Sequence, residues 1–207
     1  GFIRLNGKSI GVIANQPMQM AGTLDSPACE KVAHFISVCD AFGLPLVFLV
    51  DIPGFLVGGA AERSGLARRS ARIIYELGRA TVPRLSVVLR KGYGLGFIAM
   101  NGGRTFGADL CVAWPTAEIC AMSIEGAVDV AFRLEMAQAA DPAAKRAELV
   151  AGFRARVSPL AAAQGFGVDD LIDPRDTRPL LIETLARLAP RRRTSGRPPK
   201  FHDISPI

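Results

Sequence analysis

The chain reads as an α/β protein whose last third is helical, and three features of its 207 residues predict this. Short apolar runs such as Leu46-Val47-Phe48-Leu49-Val50 lack polar alternation, which marks strands covered on both faces. Such runs are followed by stretches with apolar residues at helical spacing, so strand and helix alternate as in a parallel sheet. Beyond Ile124 only the helical spacing remains. Residues 1–190 therefore read as one folded domain and 191–207 as a basic, proline-containing tail.

The elements follow in order. Residues 2–5 and 8–14 predict a hairpin, because Asn6-Gly7 is a favoured type I′ turn between apolar flanks. Ser26 offers an N-cap with Pro27 in the first helical position, and Val32, Phe35, Ile36 and Cys39 recur at helical spacing until Gly43. The strand at 46–50 ends in Asp51-Ile52-Pro53-Gly54-Phe55, and one long helix is expected from about 60 to 79. A buried strand at 85–89, a short helix at 95–101 closed by Gly102-Gly103, and short strands at 110–113 and 119–122 come next. Helical runs at 126–139, 143–156 and 176–188, broken at Asp141-Pro142, Ser158-Pro159 and Asp173-Pro174, are expected to lie as a layer on the sheet.

Composition excludes several functions. The net charge is +6, but six cations against Asp203 crowd into the last 21 residues, leaving the body near neutral. A basic terminus without RNA-type aromatics or finger spacing argues against nucleic acid. Cys29, Cys39, Cys111 and Cys120 show no C-x-x-C spacing and the only histidines, His34 and His202, are isolated, so no metal site is expected; the thiols read as small core residues. Apolar stretches break before 18 residues and no signal peptide opens the chain, which points away from a membrane and to the cytoplasm, or the mitochondrial matrix in a eukaryote. The start at Gly1-Phe2-Ile3, without Met, reads as a fragment. Arg68, Arg69 and Arg72 read as a solvated helix face.

Gly94, Gly96 and Ala99 fit G-x-G-x-x-A after a strand. A dinucleotide site would want an acidic residue at the end of the next strand, which here runs Ala113-Trp114-Pro115. Close helix packing is a second reading. A third is an anion site: Gly94 frees the chain to turn, and the Leu95 and Gly96 amides fall in the first helical turn, where N–H groups lack intrahelical acceptors. Two such amides aimed at a carbonyl oxygen make an oxyanion hole and need no catalytic side chain, in a sequence without a plausible hydrolytic triad. On that reading proline at Gly96 is damaging, and alanine, which keeps the donor, is much milder than proline if φ there is negative.

The runs Ala14-Asn15-Gln16-Pro17, Asp51-Ile52-Pro53-Gly54-Phe55, Ala80-Thr81-Val82-Pro83, Arg90-Lys91-Gly92-Tyr93-Gly94, Trp114-Pro115-Thr116-Ala117 and Glu125-Gly126-Ala127-Val128 resemble the C-terminal domain of the carboxyltransferase (beta) subunit of biotin-dependent acyl-CoA carboxylases. The nearest branch is propionyl-CoA carboxylase, and the resemblance runs through 173–178 to Pro198-Pro199-Lys200. It implies a crotonase-like superhelix of strand-strand-helix units and transfer of a carboxyl group from carboxybiotin to the α-carbon of a short-chain acyl-CoA. The Leu95 and Gly96 amides would stabilise the biotin enolate, Gly54, Phe55, Tyr93 and Gly94 would form the biotin pocket, and Ile98 would bear on acyl-chain choice. It also implies biotin on a carrier as cofactor. The implied partners are a biotin carboxylase or biotin carrier subunit, an acyl-CoA-binding N-terminal carboxyltransferase domain and further copies in a homo-oligomer; the isolated chain would be inactive. Leu95, Ser70 and Ser123 depart from the family pattern, the serines standing where glycine is common and able to narrow a close approach. Alternatives are a crotonase-like acyl-CoA decarboxylase subunit and a non-catalytic assembly or carrier-docking domain.

Overall fold

A computed structural model describes residues 1–103, 107–165 and 167–190. Strands β1 (Phe2–Leu5) and β2 (Lys8–Ala14) pair antiparallel through Asn6 and Gly7, both at positive φ (48° and 80°), as a type I′ turn requires. Helix α1 (Ser26–Ala41) is capped by Asp25 rather than Ser26: the Asp25 carboxylate accepts from Ala28 N at 2.9 Å, and the Ser26 hydroxyl instead meets that of Ser64 at 2.6 Å. Strand β3 (Leu46–Ile52) follows.

The long helix expected at 60–79 is two helices, α2 (Gly59–Arg63) and α3 (Leu66–Arg79), parted where Gly65 turns left-handed at φ 71°. Apolar spacing continues across the break and hides it. On α3, Leu66, Ile73 and Leu77 form the buried stripe. Ser70 is also buried, its hydroxyl turned back to Ala67 O at 2.9 Å within the helix, and Arg69 pairs with Glu30 of α1 at 2.5 Å. Strand β4 (Arg84–Tyr93) runs straight into α4 (Gly94–Ala99), and β5 (Leu110–Ala113), β6 (Glu118–Cys120), α5 (Ile124–Ala131), α6 (Arg133–Gln138), α7 (Pro142–Arg156), α8 (Pro159–Gln164), β7 (Asp170–Leu171) and α9 (Thr177–Arg187) complete the order.

The seven strands form one mixed sheet in the order β1-β2-β3-β4-β5-β7, parallel from β2 onward, with β6 pairing the far end of β4. Helices α1 and α3 bury Ile36, Cys39, Ile73 and Leu77 with Leu46 and Phe48 in one core. A second core joins Val47, Leu85, Val87 and Val112 to Leu181 and Leu185 of α9.

The helical layer is only partly as expected. Helix α9 lies on the sheet, but α6 and α7 bury no residue completely. They pack with α5 as a separate arm, through Phe132 edge-on to Phe153 at 5.6 Å and Arg154–Glu125 at 2.6 Å. Ser123 caps α5, accepting from Gly126 N at 3.2 Å, which gives that departure a structural role.

Three thiols behave as core residues, whereas Cys120 is half-exposed. Burial pushes Cys29 and Cys39 up to about 12 and Cys111 up to about 11. Raised folded-state values mean that their stabilising effect is complete below the unfolded thiol value of about 8.5 and is lost as pH climbs through the folded values. The urea midpoint should therefore hold between pH 7 and 8 and fall as pH rises above about 9, with a shallower fall in a Cys29→Ala, Cys39→Ala double variant.

Candidate functional site

Chemistry gathers at the carboxyl ends of β3 and β4, the usual place for ligands in parallel sheets. The chain leaves β3 through Pro53 and Gly54, the latter at φ 140°, and Phe55 then bridges to Leu24. It leaves β4 through Gly94 at φ 53°, where a Cβ would lie 2.6 Å from Ala121 O; only glycine fits.

The two exits touch. A Cβ on Gly96 would sit 2.9 Å from Gly54 Cα and 3.0 Å from Ile52 Cδ1, so Gly96 reaches Gly54 because it has no side chain, whereas Gly54 is required by its φ of 140°. Gly96 is not left-handed, as the sequence argument required, yet a Cβ there meets backbone, so Gly96→Ala carries a packing cost of its own. Leu95 and Gly96 lie in the first turn of α4, where their amides have no intrahelical acceptor, and Tyr93 as N-cap supplies no side-chain acceptor. The Leu95 side chain is 54% exposed and Ile98, three residues on, shares its helix face.

Tyr93 is buried, and its hydroxyl donates to Glu118 Oε1. Burial first, then the bond to Glu118, holds the phenol well above its ordinary value, so it is a neutral donor and not a base. A cleft of about 350 Å³ lies elsewhere, between the end of β2 and α1, lined by Asn15, Met20, Leu24, Lys31 and Met100. None of Gly54, Phe55, Tyr93, Gly94, Leu95 or Gly96 lines it.

Four motifs quoted above without roles for Asn15, Asp51, Arg90 or Thr116 converge just before α4. One residue of β3, Asp51, lies opposite residues 89–91 of β4, a bulge in the ladder. The Asp51 carboxylate accepts from Lys91 N at 3.2 Å and pairs with Arg90 Nη2 at 3.1 Å. Asp51 N donates to Asn15 Oδ1 at 3.1 Å, and the Thr116 hydroxyl donates to Leu89 O at 2.5 Å. Beyond the bulge β4 leaves β5 and pairs with β6. The sequence signal was the clustering of polar residues in short runs at strand ends; their partners, tens of residues away, were not visible there.

The carboxyl transferase domain family matches residues 1–204. This chain belongs to that family. The carboxyl transferase domain is 44% identical over 208 residues to a propionyl-CoA carboxylase carboxyltransferase subunit of Haloferax mediterranei, covering 100% of this chain and 40% of the relative. It is 42% identical over 207 residues to the methylmalonyl-CoA decarboxylase subunit alpha of Propionigenium modestum, with 100% and 40% covered. The crystal structure of the transcarboxylase 12S hexamer assembly, with methylmalonyl-coenzyme A and methylmalonic acid bound, matches with a TM-score of 0.87 at 47% identity over 98% of this chain and 38% of that one. The chain spans about two fifths of the length of the curated relatives it matches and corresponds to their C-terminal part. Its α/β architecture is that of the 12S protein, a crotonase-like carboxyltransferase.

Proposed function

We propose that this carboxyl transferase domain is the biotin-facing half of an acyl-CoA carboxyltransferase, which moves a carboxyl group from carboxybiotin to the α-carbon of a short-chain acyl-CoA. The observation that carries the reading is the contact between Gly54 and Gly96 beside the Leu95 and Gly96 amides. These residues fit the group: its ureido oxygen calls for fixed donors, and the Leu95 and Gly96 amides at the start of α4 have no intrahelical acceptor and no side-chain cap. Carboxybiotin on its carrier would supply the carboxyl group and, once relieved of it, the base for the acyl α-proton.

The chain's own part is electrostatic. The Leu95 and Gly96 N–H groups would donate to the ureido oxygen as it gains negative charge. They are held in place beforehand by the tight turn at Gly94. Gly54, in contact with Gly96, and Phe55 would wall the biotin pocket, which Gly94 and Tyr93, neutral and bonded to Glu118, would complete. Ile98, on the same helix face as Leu95, presents an apolar surface that suits a longer or branched acyl chain. Among the described residues no group of three His, Cys, Asp or Glu could hold a metal ion, and no helix is long and apolar enough to cross a membrane.

The rest of the active unit would come from outside this chain: an acyl-CoA-binding domain, a biotin carboxylase or carrier subunit, and further copies building on the strand-strand-helix superhelix. Exposed Val130 and Leu134, 73% and 78% accessible on the α5–α7 arm, suit such contacts. The decarboxylase relative supports a second reading in which the same amides serve carboxyl transfer from acyl-CoA to biotin.

The test is an assay of the purified chain with a carboxybiotinyl donor and propionyl-CoA, alone and after adding an acyl-CoA-binding carboxyltransferase domain. No turnover is expected from the chain alone and transfer is expected after reconstitution. Robust turnover without the added domain would overturn the half-site reading. Running the reconstituted enzyme from methylmalonyl-CoA toward biotin reads the second direction.

A further inference from the structure

The Asp51 carboxylate touches no proposed ligand, yet it sits where the direction of α4 is decided. It is 7% exposed and faces three residues of β4 across a bulge at which Lys91 is paired with no residue of β3. The carboxylate accepts from the Lys91 amide, takes Arg90 Nε at 3.2 Å as well, and has Lys91 Nζ at 3.9 Å. Lys91 Nζ donates to Ala21 O at 2.7 Å, and the Asp51 carbonyl closes over Gly22, where a Cβ would lie 2.5 Å away. Four segments thus meet around one residue: its backbone meets the end of β2 at Asn15 and the turn at Gly22, and its carboxylate joins β3 to Arg90 and Lys91 of β4. Three residues after Asp51 stands Gly54; three after Lys91 stands Gly94.

We infer that Asp51 is the positioning residue of the glycine site, pinning the β4 bulge so that α4 starts against Gly54 with its Leu95 and Gly96 amides at a fixed distance from that loop. The inference rests on the proposed role of those amides. A carboxylate suits the task because it accepts the Lys91 amide and the Arg90 guanidinium together, which no neutral side chain does as strongly. Loss of the pin lets β4 slide at the bulge, and a displacement of about 1 Å at a catalytic donor costs up to roughly 100-fold in rate.

The experiment compares Asp51→Ala, Asp51→Asn and Gly96→Pro in the complete carboxyltransferase, reading kcat, KM for acyl-CoA and hydrogen exchange of the backbone amides. Asp51→Ala is expected to lower kcat by about 10- to 100-fold with KM for acyl-CoA unchanged, and to speed exchange at residues 91–96 but not in β5. Asparagine, whose carbonyl can still accept from Lys91 N, should recover most of the rate, leaving a loss of about threefold. Unchanged kcat in a folded Asp51→Ala enzyme overturns the inference, as does faster exchange spread through the whole sheet with no recovery in asparagine. Where the alanine enzyme does not fold, asparagine decides: a lowered kcat at constant KM supports the pin, and an unchanged kcat refutes it. Full transfer by Gly96→Pro sinks the amide reading and this inference together, whereas loss there with normal Asp51→Ala kinetics sinks the inference alone.

Discussion

Gly96→Pro is expected to lower carboxyl transfer at least ~100-fold in the reconstituted enzyme, the usual cost of one lost oxyanion-hole donor. Proline is sterically admissible in a first helical turn, so α4 need not break, but it removes the amide hydrogen and restricts Leu95 before it. The contact with Gly54 makes alanine the informative control. Both substitutions place a Cβ within 2.9 Å of Gly54 Cα if nothing shifts, and only proline deletes the donor. Alanine should cost about 1–3 kcal/mol of stability through overpacking and some rate through displacement of α4. The difference between the two variants then reports the lost N–H together with the restriction of Leu95, and thermal stability and acyl-CoA binding measured alongside rate separate the two. Rates near wild type for proline in a folded enzyme would mean that the glycines serve only close packing.

Asp40→Ala is expected to be the most damaging substitution for stability outside the site. The carboxylate is 1% exposed and accepts from Thr81 N at 2.6 Å, Thr81 Oγ1 at 2.9 Å and Val82 N at 3.0 Å, holding the turn that leads α3 into β4. Alanine would strand these donors without water, a loss of roughly 3 kcal/mol or more. Asparagine keeps an acceptor and should cost less. Urea unfolding at neutral pH measures both, and a shift in the alanine variant below about 1 kcal/mol would show that water or another group satisfies the turn. The Ala80-Thr81-Val82-Pro83 run is thereby accounted for by folding rather than by chemistry.

The legible parts of the fold are those decided by neighbours in sequence. Asn6-Gly7 fixes the hairpin because both residues accept positive φ, and the apolar run at 46–50 announces a strand covered by α1 and α3 on one side and α9 on the other. Where the sequence misled, a distant contact or a single left-handed glycine had decided. Ser26 looked like the cap of α1, but its hydroxyl is taken by Ser64 and Asp25 does the capping. Residues 59–79 carry one helical period, yet Gly65 turns left-handed and splits it. The basic tail at 191–207 lies outside the described residues.

For the site, the sequence by itself determined the glycines and their backbone chemistry: a turn after a strand, two amides in a first helical turn, and no triad beside them. Only the tertiary structure decided that Gly96 meets Gly54, and that Asn15, Asp51, Arg90 and Thr116 meet at one bulge. The physical reason is range. Turn and helix-start preferences act over about four residues through φ, ψ and local hydrogen bonds. The bonds from Asp51 span 36 to 40 residues of sequence, and those partners are chosen by strand order and register, which no local residue pattern encodes.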